Sequence, residues 1–187
     1  LPISWAISHR AGLASVDNPP SLEEVLAVTP IVEAIAAQVP LWELDGSHGY
    51  HAITYGWIAA EILRRVTGIQ MNDWLQTNVV EPLGVEFHMG LPESEHARVA
   101  PIRNSASSVD PERLALMMSL IGPGTMGGRA LSLDGRFSFS GENTFNRGDV
   151  WSSEIPGVAG ITNTRSLATI YGATVGEVGG VRLLEDA

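Results

Sequence analysis

The chain has 187 residues, the size of one domain or one large piece of a bigger one, and its 44% hydrophobic content is enough for a core. Its formal charge of −10, with 11 basic residues against 21 acidic ones, excludes a basic nucleic-acid face and a polybasic membrane surface. There is no cysteine, and every Lys/Arg position is an arginine, so these residues offer no disulfide, thiolate metal site, Walker lysine, Schiff base or lysine-activated nucleophile.

The opening, LPISWAISHRAGL, reads as a short apolar segment closed by a turn at Gly12. It shows no charged region ahead of an apolar one, as a secretory leader would. No apolar run approaches the roughly 20 residues that span a bilayer. The default expectation is a cytoplasmic protein with neither nucleic acid nor a membrane span among its partners. SLEEVLAV follows, with Ser21 as N-cap and Glu24 three residues on, the pattern of a capping box. Pro30 sits at the start of a second helix, TPIVEAIAAQV, which Pro40 ends.

Asp45-Gly46 marks a turn. After it comes the clearest helix, with Tyr55, Ile58, Ala59, Ile62 and Val66 on one face, a Glu61–Arg65 pair, and Gly68 where a C-terminal glycine belongs. This reading puts Tyr50 and His51 at the helix N-terminus, where backbone N–H groups point outward. MNDWLQTNVV is a further helix, stopped by Pro82 and Gly84, and residues 85–89 form a short strand. DPERLALMMSLI is helical, with Asp110 as cap. Residues 122–150, rich in Gly, Ser and Asn, read as one long irregular loop. A last helix covers TRSLATIYGATV, with Asn163 or Thr162 as cap. Residues 1–187 read as a single domain, with more helix than strand.

The candidate chemistry is sparse. His48 and His51 stand three apart, but Gly46 and Gly49 interrupt any helix that would aim both at a metal, and His88 and His96 have no partner at ligand spacing. No metal and no cofactor is expected. No Gly-x-Ser-x-Gly elbow occurs; FSFSG lacks the first glycine. A Ser-His-Asp triad need not be adjacent in sequence, but nothing singles out one serine. GPGTMGG resembles a phosphate cradle without its lysine and reads as a loop. Glu23-Glu24 are adjacent and solvated, and do not face each other across a substrate.

Tyr50, between two histidines in GSHGYHAITYGW, is either a packed aromatic or an acid/base. The second role needs a positive charge nearby to poise the phenol, from an arginine, a protonated histidine or a helix N-terminus.

Four blocks then stand in a telling order: SHRAGL at 8–13, HGYHAITYGWIAAEILRRVTG at 48–68, EPLGVEFHMGLPESEHARVA at 81–100 and EIPGVAGITNTRSLATIYG at 154–172. In these the chain resembles the serine β-lactamase-like superfamily, and more narrowly the family VIII carboxylesterases related to class C β-lactamases and penicillin-binding proteins. The resemblance implies an α/β (α+β) fold, of which this chain is mostly the helical lobe plus part of the central region. It also implies acyl transfer to a serine in Ser-x-x-Lys, a tyrosine acting with that lysine in proton transfer, and a third motif, Lys-Thr-Gly or His-x-Gly, that shapes the oxyanion hole. Tyr50 matches the tyrosine of the second motif, with Ala52 where β-lactamases carry asparagine, a lean towards esterase chemistry. His48 and His51 are the candidates to line the substrate pocket. Ala159 stands where relatives tend to have asparagine.

The first and third motifs are not found in these residues. The expectation is a partial hydrolase domain for small acyl or ester substrates, inactive alone, either oligomeric or missing complementary segments. The rival expectations are a non-catalytic binding or scaffolding protein on a degenerate hydrolase fold, and an active hydrolase built on an unrecognised Ser-His pair.

Overall fold

The computed structural model describes residues 1–44, 46–103, 110–139 and 141–185. Asp45 of the expected Asp-Gly turn lies outside them. Helices dominate: α1 (Ile3–Ile7), α2 (Leu22–Leu26), α3 (Thr29–Ala37), α4 (Thr54–Thr67), α5 (Met71–Leu75), α6 (Glu81–Leu83), α7 (Pro111–Ile121), α8 (Met126–Ser132), α9 (Gly148–Ser152) and α10 (Thr164–Val175). Two short strands, β1 (Phe87–His88) and β2 (Ile161–Thr162), pair antiparallel, Phe87 opposite Thr162 and His88 opposite Ile161. The chain is thus mostly the helical lobe of an α+β fold.

Local chemistry starts and stops these helices. At α2, the Ser21 hydroxyl accepts from the Glu24 amide while the Glu24 carboxylate accepts from the Ser21 amide, a closed capping box. Asp110 caps α7 and Asn163 caps α10, each satisfying an amide that the helix leaves unpaired. Gly68 ends α4 in the left-handed conformation that costs glycine nothing. On α4, Glu61 accepts from both Arg64 and Arg65, and the Arg64 hydrogen bond chiefly holds its carboxyl down at about 2.

Three expectations need correction. The side of α4 that faces the core carries Thr54, Gly56 and Trp57, while the stripe from Tyr55 to Val66 is half-buried and ends with Val66 exposed. The helix from Met71 does not stop at Pro82: it widens into a π-helical turn over Gln76–Val80, then runs as α6 to Gly84. Pro82 sits in α6 directly after that wider turn. Finally, 122–150 is not one loop. It contains α8, a 3-10 turn at Thr144–Asn146 and the start of α9.

That region is structured because the core needs it. Leu133, Phe137, Phe145 and Val150 pack with Val16, Val25, Ile31, Ile35, Ile53 and Trp57 in one buried cluster, the Phe137 and Phe145 rings stacked 5.4 Å apart. Arg136 donates to the Pro19 and Pro20 carbonyls, and Arg129 to the Val16 carbonyl and the Asp17 carboxylate, tying the region to the chain's first turns.

Gly56 on α4 meets Gly157 of the EIPGVAG segment so closely that a Cβ on Gly56 would overlap the Gly157 backbone nitrogen. This glycine pair sets how near that segment approaches the start of α4. Among the described residues, no helix is long and apolar enough to cross a membrane.

Candidate active site

SHRAGL and YHAIT, 38 to 41 residues apart in the bonds at Leu13, meet in the fold. The Leu13 amide donates to His51 Nε2 at 2.9 Å, and the Leu13 carbonyl accepts from the Thr54 hydroxyl at 2.6 Å. His51 Nδ1 lies 2.6 Å from the Gly49 carbonyl, so its proton is assigned to Nδ1 and its acceptor to Nε2. The imidazole is fully buried, and that burial pushes its pKa down, keeping it neutral. With both nitrogens bonded to backbone inside the fold, His51 braces the loop and has no free atom for a substrate.

His48 is exposed on the same loop. Tyr50 stands between the two histidines with 67% of its surface exposed, the ring projecting from the loop ahead of α4. It is not in the first turn of α4, which begins at Thr54. The N-terminus therefore comes three residues later than the sequence pattern suggests, and the ring of Tyr50 meets that of His9.

His9 is the nearest of these rings, edge-on to Tyr50 at 5.2 Å between centroids, and it also packs against Tyr55 at 4.8 Å and His51 at 5.5 Å. Trp42 sits edge-on to His51, and its indole lies over Gly49, where a Cβ would come within 2.8 Å of it. The expected site residues thus divide. Tyr50 and His48 reach solvent, whereas His51 is internal. Sequence reasoning missed His9, Trp42 and Thr54. For His9 a signal existed in the SHRAGL block, but nothing in that block says which later residues it meets.

An apolar cavity of about 350 Å³ is lined by Leu13, Val32, Ile35, Trp57, Ile58 and Ile62. Neither Tyr50 nor His48 contributes to it, so this apolar space is separate from the candidate chemistry. No group of three or more His, Asp or Glu side chains placed to hold a metal occurs among the described residues.

A Ser-His pair is found among the described residues. Ser152 Oγ lies 3.1 Å from His96 Nε2, with Trp151 edge-on to the imidazole. The Leu91 carbonyl stands 3.3 Å from both atoms and competes for their protons, and His96 Nδ1 lies against Gly148 rather than a carboxylate. Without an orienting acid the pair lacks the third member that fixes the imidazole of a hydrolytic triad.

The lobe has the fold of the serine β-lactamase-like superfamily. Residues 1–187 match the family model described as Beta-lactamase, and the chain belongs to that family, within the serine β-lactamase-like superfamily. It is 31% identical to the Esterase/beta-lactamase LipL of Mycobacterium tuberculosis, an alignment covering 98% of this chain and 43% of that protein. A penicillin-binding protein homolog from Caulobacter crescentus superposes with a TM-score of 0.74 at 29% identity, over 98% of this chain and 46% of the other. A family VIII carboxylesterase gives 0.75 at 26% identity, over 96% and 45%. The chain spans less than half the length of each of these relatives.

Proposed function

We propose that this chain supplies the proton-transfer tyrosine, Tyr50, of a serine acyl-transfer site that hydrolyses small esters or related acyl compounds. The observation that carries the reading is the exposure of Tyr50 on a braced loop: a large aromatic faces solvent while its neighbours are locked by His51, Trp42 and His9. Exposure by itself is ordinary for a tyrosine, as at Tyr171, and the bracing of the chain on both sides of the ring is what distinguishes Tyr50. A phenol so presented is within reach of a reacting group, and the rigid loop keeps it in place. His48, exposed on the same loop, is the substrate-side residue of this reading.

The serine nucleophile and its lysine come from outside these residues, which contain no lysine. The chain by itself is therefore inactive. The printed names of its relatives, an esterase/β-lactamase and a family VIII carboxylesterase, support ester or lactam chemistry as the reaction class.

The test is a fusion of these residues to the segments of a family relative that carry Ser-x-x-Lys and the third motif, assayed on p-nitrophenyl esters. Tyr50→Phe is expected to lower kcat by roughly 10² to 10⁴, the usual contribution of a general acid/base. A Tyr50→Phe fusion that turns over as fast as its parent would leave Tyr50 without a catalytic role. A fusion that binds esters without hydrolysing them would favour the binding-protein reading instead.

A further inference from the structure

We infer that His9 is the positioning residue of Tyr50, holding both the backbone and the ring of the tyrosine through contacts on either side of it. The inference concerns the geometry of the loop, and its bearing on catalysis rests on the acid/base reading of Tyr50.

Three independent contacts converge on Tyr50 from this one residue. The His9 carbonyl accepts from the Gly49 amide at 3.1 Å, and His9 Nδ1 accepts from the His51 amide at 3.3 Å, so the residues before and after Tyr50 are both pinned. Between those two bonds, the imidazole meets the phenol ring edge-on. The imidazole also packs against Tyr55, which α4 holds, at 4.8 Å between centroids.

The backbone of His9 points the same way. Its φ of +61° is a left-handed conformation that a residue with a side chain seldom adopts unless its surroundings hold it there. Left-handed geometry at position 9 lets a single residue turn its carbonyl and its ring towards the same loop. With Nδ1 used as an acceptor, a ring proton is assigned to Nε2.

Three variants separate the contacts. His9→Phe keeps a flat ring and removes the acceptor. His9→Asn keeps an acceptor near the place of Nδ1, tolerates positive φ, and removes the ring. His9→Ala removes both. The readouts, on the 187-residue chain, are amide hydrogen exchange and the ring resonances of ¹³C-labelled tyrosine.

In His9→Phe, the His51 amide is expected to exchange roughly three- to tenfold faster, the range set by the loss of one hydrogen bond. The Gly49 amide, bonded to the His9 carbonyl, should stay protected, as should the core amides around Trp57. His9→Asn should restore protection at His51 while the Tyr50 ring resonances still move. A general loss of structure would instead release Gly49, His51 and the core amides together, and would overturn the inference. So would wild-type exchange at His51 in His9→Phe, or Tyr50 resonances that ignore all three variants. Failure of the catalytic reading shows elsewhere, as a Tyr50→Phe fusion with undiminished turnover, and leaves this pattern intact.

Discussion

His51 shows how one side chain decides what its neighbours do. Its lowered pKa arises mainly from burial, so the folded state binds fewer protons than the unfolded chain as the pH falls below the ordinary value of 6.5. The sign follows: the stability from neutral His51 is fully present above that value and is lost as acid carries the pH down through the depressed folded value. Glu154 works the other way. Its burial raises its carboxyl, so protonating it relieves a cost as the pH falls towards 4.5. Urea unfolding midpoints should therefore drop between about pH 7.5 and about pH 5.5, and the drop should shrink in His51→Gln, which keeps Glu154. Equal slopes for the two proteins would mean that His51 does not titrate with folding. Tyr50→Phe, by contrast, touches an exposed ring and should change stability by no more than about 0.5 kcal/mol.

Among elements, α4 and the EIPGVAG segment meet through the Gly56–Gly157 pair. Gly56→Ala forces a methyl into the Gly157 backbone and should cost about 3 kcal/mol, seen as a fall in the thermal midpoint. A Gly56→Ala variant that melts with wild type would show that the segment moves away freely. The elements that sequence reasoning found are those whose ends are chemically local. Ser21 with Glu24, Asp110 before Pro111, Asn163 and Gly68 each act within a few residues, and each starts or stops a helix where expected.

What was not legible depends on distant partners. The 122–150 region has loop composition, yet Thr125 caps α8, and Leu133, Phe137 and Val150 are drawn into the core, so burial overrides propensity there. Gly128 within α8 is one such glycine: a Cβ there would overlap the Gly122 carbonyl oxygen, so the residue serves close approach rather than flexibility. At the candidate site, the motif order exposed Tyr50, but a block at 8–13 and one at 48–55 do not announce that His9 grips the loop or that Leu13 is the knot between them. Nor does the pattern show that His51 faces inward, because a His three residues from another reads alike whether it meets a ligand or a carbonyl.

At the scale of the whole molecule, α7 is exposed along its length although Leu114, Leu116, Met117, Met118, Leu120 and Ile121 are apolar. Beside it lies an apolar cavity of about 840 Å³ that also involves α8 and Phe137. Exposed apolar surface on this scale drives association. The chain alone should therefore sediment as a concentration-dependent mixture, and Leu116→Glu with Leu120→Glu should shift it towards monomer. A wild-type monomer at all concentrations would contradict this.

These residues are proposed to provide the tyrosine of a serine acyl-transfer site and not its nucleophile. The most direct measurement is the intact mass of the folded chain after incubation with a fluorophosphonate. An unmodified mass is expected, since the chain has no lysine and, among the described residues, Ser152 beside His96 has no orienting acid. A single stoichiometric adduct, most tellingly on Ser152 beside His96, would contradict it and place a working nucleophile within the chain.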